Sequence, residues 1–313
     1  MRVLITGGAG YVGSATALEM VRAGHDVLCL DPKGEPSAWR FAARSELRQK
    51  VQWLLLDCIA DRDAIAEQAK CVDAIVHLAF VVGGPACRRE PKRAADLAVE
   101  GTQTVVDAAK GSGCVLLFSS SDVVYGNEAN GTCAETFSCK PVDSYGELKL
   151  RCEGMVGECG RSIIVRLPSH FGVSPTMRGD LIVHAMAADL YHHGTITLFE
   201  PEITRALIHV RDSTSAIRLL LESAVSRPSE SHPRIYNVAS GSWTKREVAA
   251  ALVHRFGGKV CVDESAGSDP NKRNFMLDCR LIQEEVGFVP MAGALEYGTR
   301  ELKRYIEATC AGD

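Results

Sequence analysis

Short apolar runs alternate with amphipathic stretches through the first half of the chain. The runs are continuous, as in strands that are buried on both faces of a parallel sheet. They predict strands at residues 3–5, 27–30, 51–56, 74–78, 114–118 and 163–165. Between them, apolar positions recur with helical spacing at residues 14–22, 61–68, 96–110 and 144–158. This β-α alternation predicts an α/β fold with a doubly wound parallel sheet of the Rossmann type.

The regularity falls beyond Pro168. Helical patterns at residues 181–191, 213–223, 245–256 and 294–306 are separated by loops at 174–179, 226–233 and 265–274. We expect a dinucleotide-binding Rossmann domain over residues 1–168 and a smaller C-terminal α/β domain, mainly for substrate binding, over 169–313. Strands at residues 206–210 and 235–238 are expected to return to the main sheet.

Composition narrows the range of partners. The chain has 313 residues, 46% of them hydrophobic, which is enough for a sizeable core. A net charge of −4 argues against nucleic acid or an anionic membrane surface as a partner. No apolar run approaches the ~20 residues that span a bilayer, and the first residues lack the layout of a secretion signal. We expect a cytoplasmic protein that acts on a small molecule.

Twelve cysteines are scattered along the chain without a Cys-x-x-Cys pair. A zinc site or a disulfide framework needs tighter spacing or an oxidising compartment. The pattern therefore favours reduced, mostly structural thiols and no metal site. A catalytic thiol at Cys139, between Ser121 and Tyr145, is a minor alternative.

Three glycines, Gly7, Gly10 and Gly13, lie between the first predicted strand and the first predicted helix. Glycine permits a tight turn and lets backbone N–H groups approach a pyrophosphate at a helix N-terminus. Glycines in a turn without a ligand are common, but this position between a strand and a helix favours a dinucleotide.

Two aspartates follow the second and third predicted strands. Asp31 lies 18 residues beyond Gly13, where a carboxylate can accept hydrogen bonds from the adenosine ribose and repel the extra phosphate of NADP. NAD is therefore the favoured cofactor. Asp57 is placed to meet the adenine edge. The alternative for Asp31 is a helix-capping or turn aspartate before Pro32, and the alternative for Asp57 is an isolated aspartate at a strand end.

Tyr145 and Lys149 are four residues apart within a predicted helix, so both side chains lie on one face. A phenol with a pKa of about 10 is a poor base at neutral pH. An adjacent ammonium can lower that pKa by roughly 1–3 units, and an oxidised nicotinamide ring adds a second positive charge. The pair therefore indicates a tyrosine that acts as a general base.

Together these motifs resemble an extended short-chain dehydrogenase/reductase of the NAD-dependent epimerase/dehydratase family, and the resemblance runs nearly end to end. It rests on the glycine loop, Asp31, Asp57 and the Tyr145 to Lys149 pair, and on further segments at residues 73–79, 101–102, 119–126, 205–210, 236–238 and 285–290. The glycine loop, the serine cluster and the Tyr-x-x-x-Lys pair in this order are a specific combination.

The resemblance implies roles for individual residues. Ser121, four residues before Tyr125, would be the catalytic hydroxyl and would share its proton with Tyr145. Lys149 would also bind the nicotinamide ribose. The residues implied to contact the cofactor are Gly7, Gly10, Tyr11, Val12, Gly13, Asp31, Asp57, Cys58, Leu78, Ala79, Tyr145 and Lys149. Ser119 and Ser120 are expected to line the cofactor site, and each is a minor alternative to Ser121.

The same resemblance separates subclasses of reaction. Sugar-nucleotide 4,6-dehydratases carry a glutamate, and 3,5-epimerases a cysteine, two residues before the tyrosine that here is Tyr125. This chain has Val123 there, which cannot titrate, and Asp122 matches only half of the dehydratase acid pair. The sequence departs from the family pattern at Ala98, at Phe80, where an alanine is usual, and at Ser169, where an asparagine is common.

Arginines predict an anionic substrate. In the family two arginines hold the substrate diphosphate, and the matching positions are Arg205 and Arg273. The alternative is a surface arginine with a carboxylate partner. Arg178 and His184 are further candidates for contact with sugar or phosphate, and Ser121 and Asp122 complete the predicted substrate set.

The resemblance therefore implies an NAD-dependent nucleotide-sugar 4-epimerase that works through a transient 4-keto sugar. A net NAD(P)-dependent 4-ketoreductase or dehydrogenase and a non-catalytic dinucleotide sensor are the alternatives. In the family, helices equivalent to residues 96–110 and 144–158 pair across a two-fold axis, so a homodimer is expected.

Overall fold

The structure is a computed structural model that describes residues 1–37, 39, 47, 49–127, 130–227, 234–263, 265 and 273–310. The strands are β1 (Arg2–Thr6), β2 (Asp26–Leu30), β3 (Val51–Leu54), β4 (Ala74–His77), β5 (Val115–Ser121), β6 (Asn130–Cys133), β7 (Ser162–Leu167), β8 (Ser169–Phe171), β9 (Thr195–Leu198), β10 (Thr204–His209), β11 (Arg234–Asn237), β12 (Gly241–Thr244), β13 (Lys259–Val262) and β14 (Asn274–Leu277). All six strands predicted in the first half are present.

The α-helices of the described residues are α1 (Tyr11–Arg22), α2 (Arg62–Ala69), α3 (Gly84–Arg89), α4 (Pro91–Asp96), α5 (Thr102–Ser112), α6 (Ser144–Gly157), α7 (Ile182–His193), α8 (Val210–Ser226), α9 (Lys245–Phe256), α10 (Arg280–Val286) and α11 (Ala294–Cys310). A π-helical turn (Leu97–Gly101) interrupts the single helix predicted over residues 96–110. A 3₁₀ turn (Asp122–Tyr125) follows β5.

The main sheet is parallel throughout and, within the described residues, has the strand order β11-β7-β5-β4-β1-β2-β3. Successive side chains on a strand point to opposite faces. Ile5 therefore packs into a core that includes Leu220 of α8, and Leu4 into a core that includes Val105 of α5. Helices thus cover both faces, and the predicted doubly wound fold is confirmed.

The second half of the chain joins the main sheet through β11, which pairs with β7 as predicted. The expectation that residues 206–210 also join this sheet is wrong. Strand β10 instead pairs with β8 and β12 in a separate small sheet. The chain leaves the main sheet at Pro168, whose nitrogen cannot donate to a strand ladder, and β8 begins at the next residue. Strand β8 is not part of the main sheet, and β10 pairs with it in parallel.

Candidate active site

A cleft of about 910 Å³ lies at the carboxyl ends of the main-sheet strands, where ligands bind in open α/β sheets. It is lined by 17 of the 18 residues that the sequence predicts for the site. These are Gly7, Gly10, Tyr11, Val12, Gly13, Asp31, Asp57, Cys58, Leu78, Ala79, Ser121, Asp122, Tyr145, Lys149, Arg178, Arg205 and Arg273. The structure thus brings the predicted cofactor and substrate residues to one continuous surface.

The glycine loop forms one wall of this cleft. Gly7 has φ +71°, a conformation that favours glycine. A Cβ at Gly13 would lie 2.1 Å from the Gly7 carbonyl oxygen, so no larger residue fits there without movement of the loop. Helix α1 begins directly after Gly10, which supplies no side-chain cap. The first turn of α1 therefore offers its backbone N–H groups to an anion, as a dinucleotide pyrophosphate requires.

Asp31 has a structural role at the end of β2 and also lies at the cleft. Its Oδ2 accepts a hydrogen bond from the Ala9 amide (3.2 Å), and its Oδ1 accepts one from the Lys33 amide (3.0 Å). The carboxylate therefore fixes the glycine loop and the turn after β2, and it also lines the cleft. Asp57 is similar, because its Oδ1 accepts a hydrogen bond from the Ile59 amide (2.7 Å) while the residue lines the cleft.

Tyr145 and Lys149 lie in the first two turns of α6, with 8% and 3% of their surfaces exposed. Asp143 caps this helix, and its Oδ1 accepts a hydrogen bond from the Gly146 amide (2.8 Å). The Lys149 ammonium donates to the Ser119 carbonyl oxygen (2.6 Å). Its Nζ lies 5.9 Å from the centroid of the Tyr145 ring. The helical spacing thus places both groups in the cleft, as the sequence predicts.

The predicted lowering of the Tyr145 pKa by Lys149 is wrong for the protein without a bound cofactor. Burial raises the pKa of the Tyr145 phenol well above its usual value, and the Ser121 hydroxyl and Arg178 offset only part of this effect. Burial also lowers the pKa of Lys149 to about 7, so the amine is only partly charged at neutral pH. Removal from water is thus the largest effect on the pKa of each group.

Ser121 ends β5, and its hydroxyl forms long contacts of 3.4 Å with the Val123 amide and the Asp122 carboxylate. Asp122 is buried and accepts a hydrogen bond from Nη1 of Arg273 (2.6 Å). Burial raises the pKa of the Asp122 carboxyl, while Arg273 and Arg205 lower it in part. Two of the predicted arginines thus lie close to an acidic group that adjoins Ser121.

Arg178 and His184 differ in their placement. Arg178 lines the cleft, and its Nε and Nη2 donate to the two oxygens of Asp180 at 3.0 and 2.6 Å. His184 does not line the cleft. Its Nδ1 contacts the Arg178 carbonyl oxygen (2.6 Å), and its Nε2 accepts from the Gly172 amide (3.1 Å). We therefore replace the predicted substrate contact of His184 with a structural role behind the cleft wall.

A buried polar network behind the end of β5 is not predicted by the sequence. Both oxygens of Glu153 accept from the Arg166 guanidinium, and Oε1 also accepts from the Ser120 hydroxyl (2.5 Å). Nη1 of Arg166 donates to the Tyr125 hydroxyl (3.0 Å), which in turn donates to Asn237 (2.7 Å). The network joins β5, α6, β7 and β11. It thereby fixes the end of β5, from which Ser121 projects.

Other residues at the cleft were also not predicted. Asp143 could have been recognised from sequence, because an aspartate directly before a helix is a common N-cap. Phe80 lines the cleft, and the sequence marks it only as a departure from the family pattern. His170 lines the cleft, and burial lowers its pKa to about 3, so its ring is neutral at ordinary pH. No sequence signal distinguishes this histidine.

Among the described residues, no group of three or more histidine, cysteine or acidic side chains could hold a metal ion. All twelve cysteines are free thiols. Cys139, the minor catalytic alternative, does not line the cleft, and burial raises its pKa. In the described part of the chain, no helix is both long and apolar enough to cross a membrane.

The amino-acid sequence is similar to a known family and to individual proteins. The model of the NAD dependent epimerase/dehydratase family matches residues 3–239. UDP-glucose 4-epimerase 4 of Oryza sativa subsp. japonica is 28% identical over 291 residues, which cover 82% of this chain and 77% of the relative.

Two solved structures illustrate the similarity of fold. A UDP-glucose-4-epimerase from Stenotrophomonas maltophila, with bound NAD and formylated UDP-arabinopyranose, has a TM-score of 0.84 at 22% identity, with all of both chains covered. The dTDP-glucose 4,6-dehydratase DesIV from Streptomyces venezuelae, with NAD bound, has a TM-score of 0.83 at 23% identity, covering 99% of this chain and 98% of that one. Similarity at this level extends to the fold and leaves the reaction open.

Proposed function

Since the chain belongs to the NAD dependent epimerase/dehydratase family, we propose that it is an enzyme that inverts C4 of a nucleotide-activated sugar with NAD as cofactor. One observation carries the proposal. Ser121, Tyr145 and Lys149 line the same cleft as the glycine loop and Asp31. A cofactor-binding wall and a proton-transfer group therefore meet in one space, as oxidation and reduction of a sugar hydroxyl require.

The residues of the cleft suit NAD. The glycine loop is too tight for a side chain at Gly13, and its position at the start of α1 suits a pyrophosphate. Asp31 would bind the adenosine ribose hydroxyls, and Asp57 and Cys58 would lie at the adenine. Lys149 would bind the nicotinamide ribose. Bound NAD supplies a hydride acceptor and donor and a positively charged ring.

The side chains of this protein provide the proton transfer. Tyr145 takes the proton of the C4 hydroxyl, and Ser121 holds that oxygen with a hydrogen bond. Because burial raises the Tyr145 pKa, the phenol needs added positive charge before it acts as a base. Lys149 supplies part of that charge in its protonated form. The 4-keto sugar would then turn over in the cleft, so that the hydride returns to the opposite face of C4 while Tyr145 returns the proton to the C4 oxygen.

Charge in the cleft supports an anionic substrate. Arg178, Arg205 and Arg273 all line it. A diphosphate there would compete with Asp122 for Arg273, because these two side chains already form an ion pair. Release of Arg273 to a phosphate would leave Asp122 buried beside Ser121 with a raised pKa. We therefore expect the binding of such a substrate to raise the pKa of Asp122 further.

A second candidate is a net oxidoreductase that acts on a small hydroxy compound. The Asp122–Arg273 ion pair favours it, because a substrate without a diphosphate would leave this pair intact. Dehydration is disfavoured in either case, since Val123 lines the cleft where a dehydratase has its second acid. A non-catalytic dinucleotide sensor is also disfavoured, because such a protein would not need Ser121 and Tyr145 to line the cleft.

The deciding experiment mixes the purified protein with nucleoside-diphosphate hexoses and follows the sugar by NMR. We expect interconversion of the C4 epimers without accumulation of reduced nicotinamide. Tyr145→Phe should lower the rate at least ~1,000-fold, and the matched variant Tyr305→Phe, outside the cleft, should not. Steady formation or consumption of NADH would favour the oxidoreductase. Full activity of Tyr145→Phe would refute both enzymatic proposals.

Localisation, oligomeric state and the roles of the two parts of the chain also belong to the proposal. We propose a cytoplasmic homodimer that pairs through α5 and α6, on the basis of the family resemblance. We also retain the division into a dinucleotide-binding part (residues 1–168) and a part mainly for substrate (169–313). Light scattering after gel filtration tests the dimer, and a mass that corresponds to a single chain would contradict it.

A further inference from the structure

The amine of Lys149 is enclosed by two aromatic rings. Its Nζ lies 3.7 Å from the centroid of the Phe80 ring and 4.7 Å from that of Phe118. The same amine donates to the Ser119 carbonyl oxygen at 2.6 Å. Phe118, on β5, is buried in the core, whereas Phe80 lines the cleft. Of the two rings, Phe80 is therefore the one that lies at the cleft beside this amine.

Phe80 also packs against the proposed base. Its ring and that of Tyr145 are 6.0 Å apart and nearly perpendicular, at 76°. An edge-to-face pair of this kind favours one orientation of both rings. Phe80 stands where the family pattern has alanine, so these contacts are a property of this chain. One ring thus contacts both members of the Tyr145–Lys149 pair.

We propose that Phe80 is a positioning residue that acts through Lys149: its ring face holds the amine on the Ser119 carbonyl and keeps water from it. A cation over a ring face is attracted by the ring quadrupole, and the attraction grows when water is excluded. This inference rests on the proposed function, in which Lys149 supplies positive charge to Tyr145.

Two opposing effects of the ring on Lys149 can be separated by substitution. The ring removes the amine from water, which favours its neutral form, and it presents a negative face, which favours the charged form. Leucine keeps most of the burial and removes the ring face. Tyrosine keeps both, and alanine removes both. The other titratable groups near the amine are Tyr145, Cys152 and Glu153 on α6, Cys87 on α3 and His77 on β4.

The test measures the reactivity of Lys149 in the nucleotide-free, full-length protein. Trace acetic anhydride labels only neutral amines, and mass spectrometry of the Lys149 peptide gives the labelling at each pH. In the natural protein we expect a midpoint near the pKa of about 7. Phe80→Leu should lower the midpoint by about 0.5 to 1.5 pH units, the size of a cation–π contribution. Phe80→Ala should raise it, and Phe80→Tyr should leave it unchanged.

The chain offers a matched control. Phe199 lies under the ammonium of Lys245 with Nζ 4.0 Å from its ring centroid, away from the cleft. Phe199→Leu should therefore leave the Lys149 midpoint unchanged. The inference is overturned if Phe80→Leu and the natural protein share one midpoint, or if leucine and alanine shift it equally upward. The assay uses no substrate, so a failed epimerase assay and an unchanged midpoint are separate results.

Discussion

Replacement of Lys149 by methionine should stabilise the nucleotide-free protein. Burial lowers the pKa of this amine from 10.5 to about 7. At about 1.4 kcal/mol per unit, this lowering corresponds to about 5 kcal/mol of unfavourable free energy in the charged form. Methionine removes that cost and loses one hydrogen bond to the Ser119 carbonyl, worth about 1 kcal/mol. We expect Lys149→Met to gain about 3 to 4 kcal/mol of unfolding free energy at pH 6.

The gain should depend on pH in a defined direction. Below the folded pKa of about 7 both folded and unfolded states are protonated, so the burial cost is fully present. Between pH 7 and 10.5 the folded state has released the proton and the unfolded state has not, so the stability of the natural protein rises with pH. By pH 9 the advantage of Lys149→Met should therefore shrink by about 2 to 3 kcal/mol.

Urea denaturation of both proteins at pH 6, 7, 8 and 9, after removal of bound dinucleotide, measures this difference. Effects of other titrating groups cancel, because they are common to the two proteins. Parallel curves of unfolding free energy against pH would refute the reasoning. A lower stability of Lys149→Met at pH 6 would also refute it, because the buried amine would then be a net stabilising group.

Three further changes test other parts of the site. Gly13→Ala should weaken NAD binding at least ~100-fold by calorimetry, because its Cβ would meet the Gly7 oxygen, whereas Gly160→Ala, with open space around its Cβ, should not. Arg166→Met should cost about 3–5 kcal/mol of unfolding free energy in urea titration, since it leaves a buried carboxylate unpaired; a loss near zero would contradict this. Burial lowers the pKa of His77 to about 3, so the unfolded state binds its proton first and stability falls from pH 6.5 down to about 3. His77→Gln should flatten that part of the pH dependence, and an unchanged slope would contradict it.

The part of the fold that depends on local pattern was predictable. Continuous apolar runs and helical spacing marked the strands and helices of the first half, because a buried parallel strand needs apolar residues on both faces. The glycine loop and the Tyr145–Lys149 pair were also predictable. Their geometry depends on residues a few positions apart, which backbone conformation brings together wherever the segment lies.

Contacts between distant segments were decided only in the tertiary structure. Arg273 and Asp122 are 151 residues apart, and their pairing depends on how the start of β14, next to Arg273, lies relative to the end of β5. The place of β10 depended on the free edge of β8 rather than on its own apolar pattern. The position of His184 also depended on the tertiary structure. Both of its ring nitrogens contact backbone atoms of the loop after β8, the Gly172 amide and the Arg178 carbonyl oxygen, and the side chain does not line the cleft.

The electrostatic state of the site also needed the fold. The four-residue spacing of Tyr145 and Lys149 places a phenol and an amine on one helix face. Burial of α6 against β5 and Phe80 determined their pKa values, because removal from water is the largest effect on each of them. The identity and spacing of residues follow directly from the sequence. The exposure of a side chain to water depends on surfaces that come together only when the whole chain folds.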